Sequence, residues 1–317
     1  MRSLNRTEAA AFLKEQDHFA ILTHLRPDGD TLGSAAALCL GLRQLGKQAY
    51  IIENPEITDK YRFLHQGLTK PQAEDTDTLI CVDVAAENML PACHRHLVPR
   101  LALRIDHHRS EEGFSQLQLV DPTAAACGDI IYDVLLLMGV TLDREIAQAI
   151  YIAISTDTGC FRYPNTNAHT LRTAAACYEA NDQLALLNQT LFDTNSLGRL
   201  RLQGWLVEHA QFFHNGQVVI CSLPRAVEEE LGLTEDDLEN ISGFPRSIEG
   251  VKIAATLREG NDGKTKISVR AVPGYNAAAI CQNFGGGGHA GAAGASLQMS
   301  LQDAAQEVLR AINKETQ

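Results

Sequence analysis

The segment HLRPDGD (24–30) holds an imidazole and two carboxylates, His24, Asp28 and Asp30, within seven positions. An apolar run, FAIL, lies just upstream and a small-residue stretch, TLGSAAAL, follows. One carboxylate at such a junction is explained by capping, because an Asp side chain accepts from the free N–H groups of a helix beginning near Thr31. Capping explains neither the histidine nor the second Asp. Three further segments repeat the theme. CVDV puts Asp83 at the end of a strongly apolar run, where an unpaired buried carboxylate is costly. RIDHHRS gathers Asp106, His107 and His108, and YIAISTDTG carries Asp157. Carboxylates brought together repel one another, and cations between them relieve that repulsion. A mixed His and carboxylate donor set suits divalent manganese or a similar ion better than calcium's all-oxygen cage or thiolate-bound zinc.

These residues need a scaffold that gathers them. FAILTH (19–24), QAYII (48–52), TLICVD (78–83) and LALRID (101–106) read as short buried strands. Helical patterns over 31–45, 124–138, 143–155 and 167–181 alternate with or follow them. Strands alternating with helices predict an α/β fold with a parallel sheet covered on both faces. In such sheets the ligand site lies beyond the C-terminal ends of the strands. His24, Asp83 and Asp106 all stand at those predicted ends.

Residues 184–212 read as helical and as a bridge between two domains. Beyond them FFHNGQVVICSL, VKIAATLRE and KTKISVRAV read as strands joined by short polar turns. A helix over 275–283, the run GGGGH, one more strand and a helix over 301–314 complete a smaller α/β unit. The expected organisation is a domain over 1–188, a helical linker over 189–211 and a second domain over 212–317, with a cleft between the domains. In KTKISVRA, alternation places Lys264, Lys266, Ser268 and Arg270 on one face, and Ile267 and Val269 on the other. Between 241 and 275 six Lys or Arg stand against three Asp or Glu, in a chain whose net charge is −12. That local excess fits a phosphate-gripping surface or a solvated sheet face. Consecutive glycines allow backbone N–H groups to approach a phosphate closely, yet no GK[ST] follows them, so the run is not a P-loop.

The overall negative charge argues against a protein that tracks long nucleic acid, which needs a broad basic surface. It is compatible with a short or small phosphorylated substrate. The eight cysteines are scattered, with no CxxC, as expected of reduced thiols rather than a disulfide framework or thiolate zinc site. One local cluster, Cys93-His94-Arg95-His96, is a weak metal candidate because no second ligand pair lies near it. No apolar run reaches membrane-spanning length and the N-terminus lacks a signal-peptide pattern. A cytoplasmic location and no membrane partner are the expectations. Monomer and homodimer both stay open.

The ordered set HLRPDGD, VDV, DHH and STDTG resembles the four motifs of the DHH phosphoesterase superfamily, and GGGGHAGAAG (285–294) resembles the glycine-rich signature of its C-terminal DHHA1 domain. The two-domain length and the RAV…GGGGH ending are most similar to the nanoRNA hydrolases that also act as 3′-phosphoadenosine 5′-phosphate (pAp) phosphatases. This resemblance implies two divalent ions, manganese by expectation, that activate one water for direct attack on phosphorus. It implies that His24 and Asp28 hold the first ion, that Asp30, His107 and Asp157 hold the second, and that Asp83 bridges them. Asp106 would orient a metal-bound imidazole, and His108 would face the substrate phosphate and protonate the leaving oxygen. Arg270 and His289, with Gly286, Gly287 and Gly288, would hold the far end of the substrate. Ala271 and Ala290-Gly291 depart from the residues common in the family at those places. In FRYPNT, Arg162 is within reach of a phosphate, and Phe161 or Tyr163 would stack on a base or serve as packing.

The implied activity is hydrolysis of very short RNA to 5′-mononucleotides, with pAp as a second substrate. A pyrophosphatase or cyclic-dinucleotide (pGpG) phosphodiesterase of the same superfamily is the enzymatic alternative. A nucleotide-binding regulatory protein is the non-enzymatic one, and the intact metal positions argue against it.

Overall fold

The computed structural model describes residues 2–108, 113–238, 240–260 and 263–316. The chain forms two units, Met1–Thr194 and Asn195–Gln317.

The first unit is built on seven strands: β1 (Arg2–Ser3), β2 (Phe19–Leu22), β3 (Ala49–Ile52), β4 (Thr69–Lys70), β5 (Thr78–Val82), β6 (Leu101–Asp106) and β7 (Leu117–Val120). They pair in the order β1-β7-β6-β5-β2-β3-β4, every neighbouring pair parallel. Parallel strands are buried on both faces, hence the continuous apolar runs. Successive residues feed two cores: Phe19, Ile21, Ile80 and Val82 point into one, Ala20, Leu22, Leu79 and Cys81 into the other. The chain winds outward from β2 through β3 to β4, then returns to lay β5 on the other side of β2. The strand order therefore reverses between β2 and β5, the topological switch point where open α/β sheets place ligands. The residues just past those two strand ends include His24 and Asp83.

Helices α1 (Arg6–Glu15), α2 (Gly29–Gln44), α3 (Cys127–Met138), α4 (Arg144–Asp157), α5 (Ala168–Ala180) and α6 (Leu184–Asn188) complete the unit, with a π-helical turn over Gln189–Asp193. Thirteen of the sixteen residues of α2 are buried, as expected of a helix packed on several sides. Its small residues permit unusually close contact with α4. A Cβ at Gly29 would lie 2.4 Å from Thr156 Oγ1, and one at Gly33 would lie 2.4 Å from the Ala149 carbonyl oxygen. Since the second obstacle is backbone, Gly33→Ala must push α2 off α4. We expect it to lower the unfolding free energy by about 2–3 kcal/mol, read as a lower urea midpoint; an unchanged midpoint would refute this account of the helix spacing.

The second unit begins with α7 (Leu197–Glu208), then β8 (Gln211–Phe213), β9 (Val218–Leu223), α8 (Arg225–Glu230), α9 (Glu235–Leu238), β10 (Ile253–Glu259), β11 (Thr265–Ala271), α10 (Ala277–Gln282), β12 (Gly287–His289), β13 (Ala292–Leu297) and α11 (Leu301–Glu315). Its sheet runs β12-β13-β11-β10-β9-β8, antiparallel except for the β9–β10 pair. Helices α10 and α11 cover one face through Ile280, Val308 and Ile312. Leu202 and Leu206 of α7 pack on the other, against Val219 and Cys221.

The sequence reading of strands and helices agrees in order, with shifted ends. Helix α3 starts at 127 rather than 124, and α4 runs on to include Asp157. The segment read as helical over 184–212 divides: α6 and its π-helical turn belong to the first unit, α7 to the second, and residues 211–213 are already strand. The sequence reading does not include α1, β1, β4, β7, α8, α9 or β12. The four strands are two to four residues long, too short for an alternating pattern to stand out. All eight cysteines are free. Among the described residues, no helix is long and apolar enough to cross a membrane.

Candidate metal centre

Each acidic or imidazole side chain at the switch point is held by a different local device. Asp28 is the N-cap of α2 and accepts from Asp30 N at 3.1 Å and Thr31 N at 3.2 Å. Asp30, inside α2, reaches across to α3, whose own N-cap residue, Ala126, has no capping side chain. It accepts from Cys127 N at 2.7 Å, Gly128 N at 2.9 Å and Ser34 Oγ at 3.0 Å. Asp30 thus caps a helix from outside it, an arrangement invisible to local sequence reading. Thr31 Oγ1 donates to the Val82 carbonyl at 2.9 Å, tying α2 to the end of β5. Asp83 then turns off that strand with φ +57°, a left-handed conformation that costs a non-glycine residue about 1–2 kcal/mol. Asn54 anchors the His24 segment, donating to the His24 carbonyl at 2.8 Å and Thr23 Oγ1 at 2.9 Å. Asn165 clamps the end of α4, donating to the Asp157 carbonyl at 3.1 Å and the Ala125 carbonyl at 3.0 Å. Ser34, Asn54 and Asn165 were not singled out from sequence, because each acts through tertiary contacts.

Among the described residues, donor atoms converge in three groups: His24, Asp28 and Asp83; Asp30, His107 and Asp157; and Asp83, His107 and His108. Within each group one atom per residue lies within 4.8 Å of the others. His24 Nε2 is 3.5 Å from Asp28 Oδ1 and 3.6 Å from Asp83 Oδ2. His107 Nε2 is 3.7 Å from Asp30 Oδ2, 3.5 Å from Asp83 Oδ1 and 3.7 Å from Asp157 Oδ2. The two oxygens of Asp83 therefore face different imidazoles. These separations are long for hydrogen bonds and close to the spacing of two donors that share one cation at about 2.1 Å each. Asp83 Oδ1 is buried and accepts no hydrogen bond, a costly state for a carboxylate oxygen unless a cation faces it. The donor set fits divalent ions with mixed nitrogen and oxygen ligation. No such group of three forms around Cys93, His94 and His96 among the described residues.

Electrostatics point the same way. Burial raises Asp30 well above the usual carboxylate range, and repulsion from Asp83, Asp157 and Asp28 adds to it. Burial also drives Asp157 up to about 7; repulsion from Asp28 and Asp83 adds, while His107 opposes. Burial alone would lower His24, but Asp28 and Asp83 raise it well above its ordinary value. His108 likewise rises to about 9 despite burial, through Asp106, Asp83 and Asp157. Asp106 falls to about 2 although burial opposes this, because His108 and Arg104 both stabilise its charge. Metal donors must be unprotonated. Cation uptake at neutral pH is therefore expected to expel a proton from Asp157, raised to about 7, and affinity to weaken as pH falls through 7, with the upward shifts of Asp30 and His24 acting in the same direction. Titration of chelator-treated protein with Mn²⁺ in buffers of different ionisation enthalpy is expected to show net proton release at pH 7. Buffer-independent heats would contradict this charge balance.

The residues expected to grip substrate fall in both units. Arg162 lies in the first, in the turn after α4, where its Nε donates to the Gly159 carbonyl at 2.6 Å. That turn carries three successive left-handed residues, Gly159, Cys160 and Phe161. Arg270 is half-buried on β11, whose alternation is as read: Thr265, Ile267, Val269 and Ala271 face inward. The glycine run forms an exposed edge strand, β12, paired with β13. A Cβ at Gly286 would lie 2.2 Å from the Gly294 carbonyl oxygen, and one at Gly288 would lie 2.6 Å from that of Ala292. Close pairing thus explains two of the glycines. At Gly287 a Cβ meets nothing within 4 Å, and His289 is exposed at the end of the strand.

Residues 18–154 match the DHH family N-terminal domain, and residues 215–317 match the DHHA1 domain. The chain is 33% identical over 298 residues to the bifunctional oligoribonuclease and PAP phosphatase NrnA of Thermus thermophilus, covering 93% of this chain and 89% of that one. It is 26% identical over 298 residues to the Bacillus subtilis protein of the same name, covering 92% and 93%. In fold it resembles an exopolyphosphatase-related protein from Bacteroides fragilis, with TM-score 0.83 at 23% identity over 98% of this chain and 96% of that one. It also resembles RecJ of Thermus thermophilus in complex with Mn²⁺, with TM-score 0.55 at 15% identity over 98% of this chain and 54% of that one. Sequence relatedness along nearly its whole length, with both domains in order, makes this chain a member of the DHH–DHHA1 family of phosphoesterases.

Proposed function

We propose that the protein hydrolyses RNA oligonucleotides of a few residues to 5′-mononucleotides and removes the 3′-phosphate of pAp, with manganese as its metal. The observation that carries this reading is the position of Asp83, whose two oxygens separately face His24 and His107. In this reading His24, Asp28 and Asp83 hold one divalent ion, and Asp30, His107, Asp157 and Asp83 hold the second. Such a pair supplies a water of lowered pKa and neutralises charge on the phosphoryl group. His108 is the proton donor. Its Nδ1 is held 2.9 Å from Asp106 Oδ1, which leaves Nε2 to address the leaving oxygen, and the Asp106 carboxylate favours its protonated form. No serine or cysteine nucleophile is required. The names of the relatives, oligoribonuclease and PAP phosphatase, support the substrate class, as does a net charge of −12 that suits no long nucleic acid.

The test is a panel of pAp, di- to pentaribonucleotides, a long RNA, short DNA and pyrophosphate, each with Mn²⁺ and with chelator. We expect cleavage of pAp and the short RNAs, abolished by chelator. Cleavage of pyrophosphate alone would favour the pyrophosphatase alternative, and no cleavage with any divalent ion would favour a binding protein. Arg270, with Gly286 to Gly288 and His289, is the proposed phosphate grip of the second unit, and Arg162 is a proposed phosphate contact of the first. Arg270→Ala is expected to raise KM about tenfold or more, as for a lost charged hydrogen bond, with Mn²⁺ content unchanged. An unaltered KM removes Arg270 from the grip.

A further inference from the structure

Arg104 lies on β6, two residues before the Asp-His-His segment, and is fully buried. A guanidinium in a central parallel strand is expensive to desolvate, and a buried ion pair is poor evidence of stabilisation. Its neighbours in the strand show what it does instead. Leu103 and Ile105 project into the core, while Arg104 and Asp106, two apart, share the opposite face. Arg104 Nη2 donates to Asp106 Oδ2, and its guanidinium lies over the Phe114 ring, 5.2 Å from the ring centre. The other oxygen, Asp106 Oδ1, accepts from His107 N at 2.8 Å, His108 N at 3.2 Å and His108 Nδ1 at 2.9 Å. The carboxylate is thus divided, one oxygen for the arginine and one for the two histidines.

We propose that Arg104 is a positioning residue for His108, acting through Asp106. By holding Oδ2 it sets the plane of the carboxylate, which in turn fixes which His108 nitrogen is tied down and which faces outward. Of two aligned acceptor oxygens only one is left to the histidines, so the imidazole has a single hydrogen-bonded orientation. A side chain at position 104 without a cationic donor frees the carboxylate to rotate.

The proposal rests on the hydrolase reading for its kinetic arm, and the wild-type enzyme in the same assay tests that reading separately. Arg104→Met is expected to lower kcat on pAp about tenfold or more, the usual scale for a partner behind a site residue, with KM and Mn²⁺ stoichiometry unchanged. In an Asp106→Ala background the same substitution is expected to change kcat by less than about threefold, since the carboxylate it acts through is gone. An activity-independent readout is the hydrogen-bonded Nδ1 proton of His108, followed in proton NMR spectra and assigned by its loss in His108→Asn. It is expected to vanish or shift in Arg104→Met and to persist in Arg104→Lys, which restores a cation. If Arg104→Met does not fold, Arg104→Gln takes its place with the same expected losses. Wild-type kcat with an unshifted Nδ1 proton, or an equal loss in both backgrounds, overturns the proposal.

Discussion

Asp83→Asn is expected to lower kcat/KM on pAp and on a diribonucleotide alike by about 10³-fold or more, the scale seen when one preorganised charge-stabilising contact is removed. Asp83 belongs to two of the three convergent groups that hold the imidazoles of His24 and His107. An amide replaces one anionic oxygen with an N–H donor, so one proposed ion loses its ligand and the other keeps a neutral carbonyl oxygen in place of a carboxylate oxygen. The loss should therefore be common to both substrates, whereas a substrate-grip residue would affect them unequally. A second consequence separates metal loss from misfolding. Removing a carboxylate relieves the repulsion on Asp30 and Asp157, so the chelated variant should melt no lower than chelated wild type. The rise in melting temperature that Mn²⁺ gives wild type, a direct measure of binding to the folded state, should be largely absent. Full Mn²⁺ stoichiometry with retained turnover would end the shared-ligand account.

His108→Ala is expected to lower kcat by about 10²–10⁴-fold, the range for a general acid or base, while Mn²⁺ binding stays intact. A proton donor works in its protonated form, and the Asp106 carboxylate hydrogen-bonded to His108 raises it above its ordinary value. Wild-type kcat should therefore fall on the alkaline side of neutrality, and this alkaline limb should be missing from the variant. The leaving group gives a sharper test. A nitrophenyl phosphodiester departs without protonation, so His108→Ala should cost it far less than it costs pAp. Equal losses on both substrates would assign His108 to binding rather than to proton donation.

The types and order of the candidate site residues are legible because each cluster stands out within a few adjacent positions. His24, Asp28, Asp30, Asp83, His107 and Asp157 each sit in a short segment that ends an apolar strand or adjoins a helix terminus, and a parallel sheet brings such ends to one edge. Likewise the alternation of β11 could be read before its neighbours were known. Hydrophobic period and turn residues are properties of a few adjacent positions, and the sequence by itself determined them. What only the tertiary structure decided is how each carboxylate is used. Asp30 caps a helix that begins ninety-seven residues away, Asp83 faces two imidazoles with different oxygens, and Arg104, on which the sequence reading is silent, hydrogen-bonds the carboxylate behind His108. Close approach of α2 to α4 at Gly33 and pairing of the glycine run with β13 are of the same kind. Hydrogen bonds and excluded volume act over a few ångströms in space, and the chain carries no local mark of which distant backbone will arrive there.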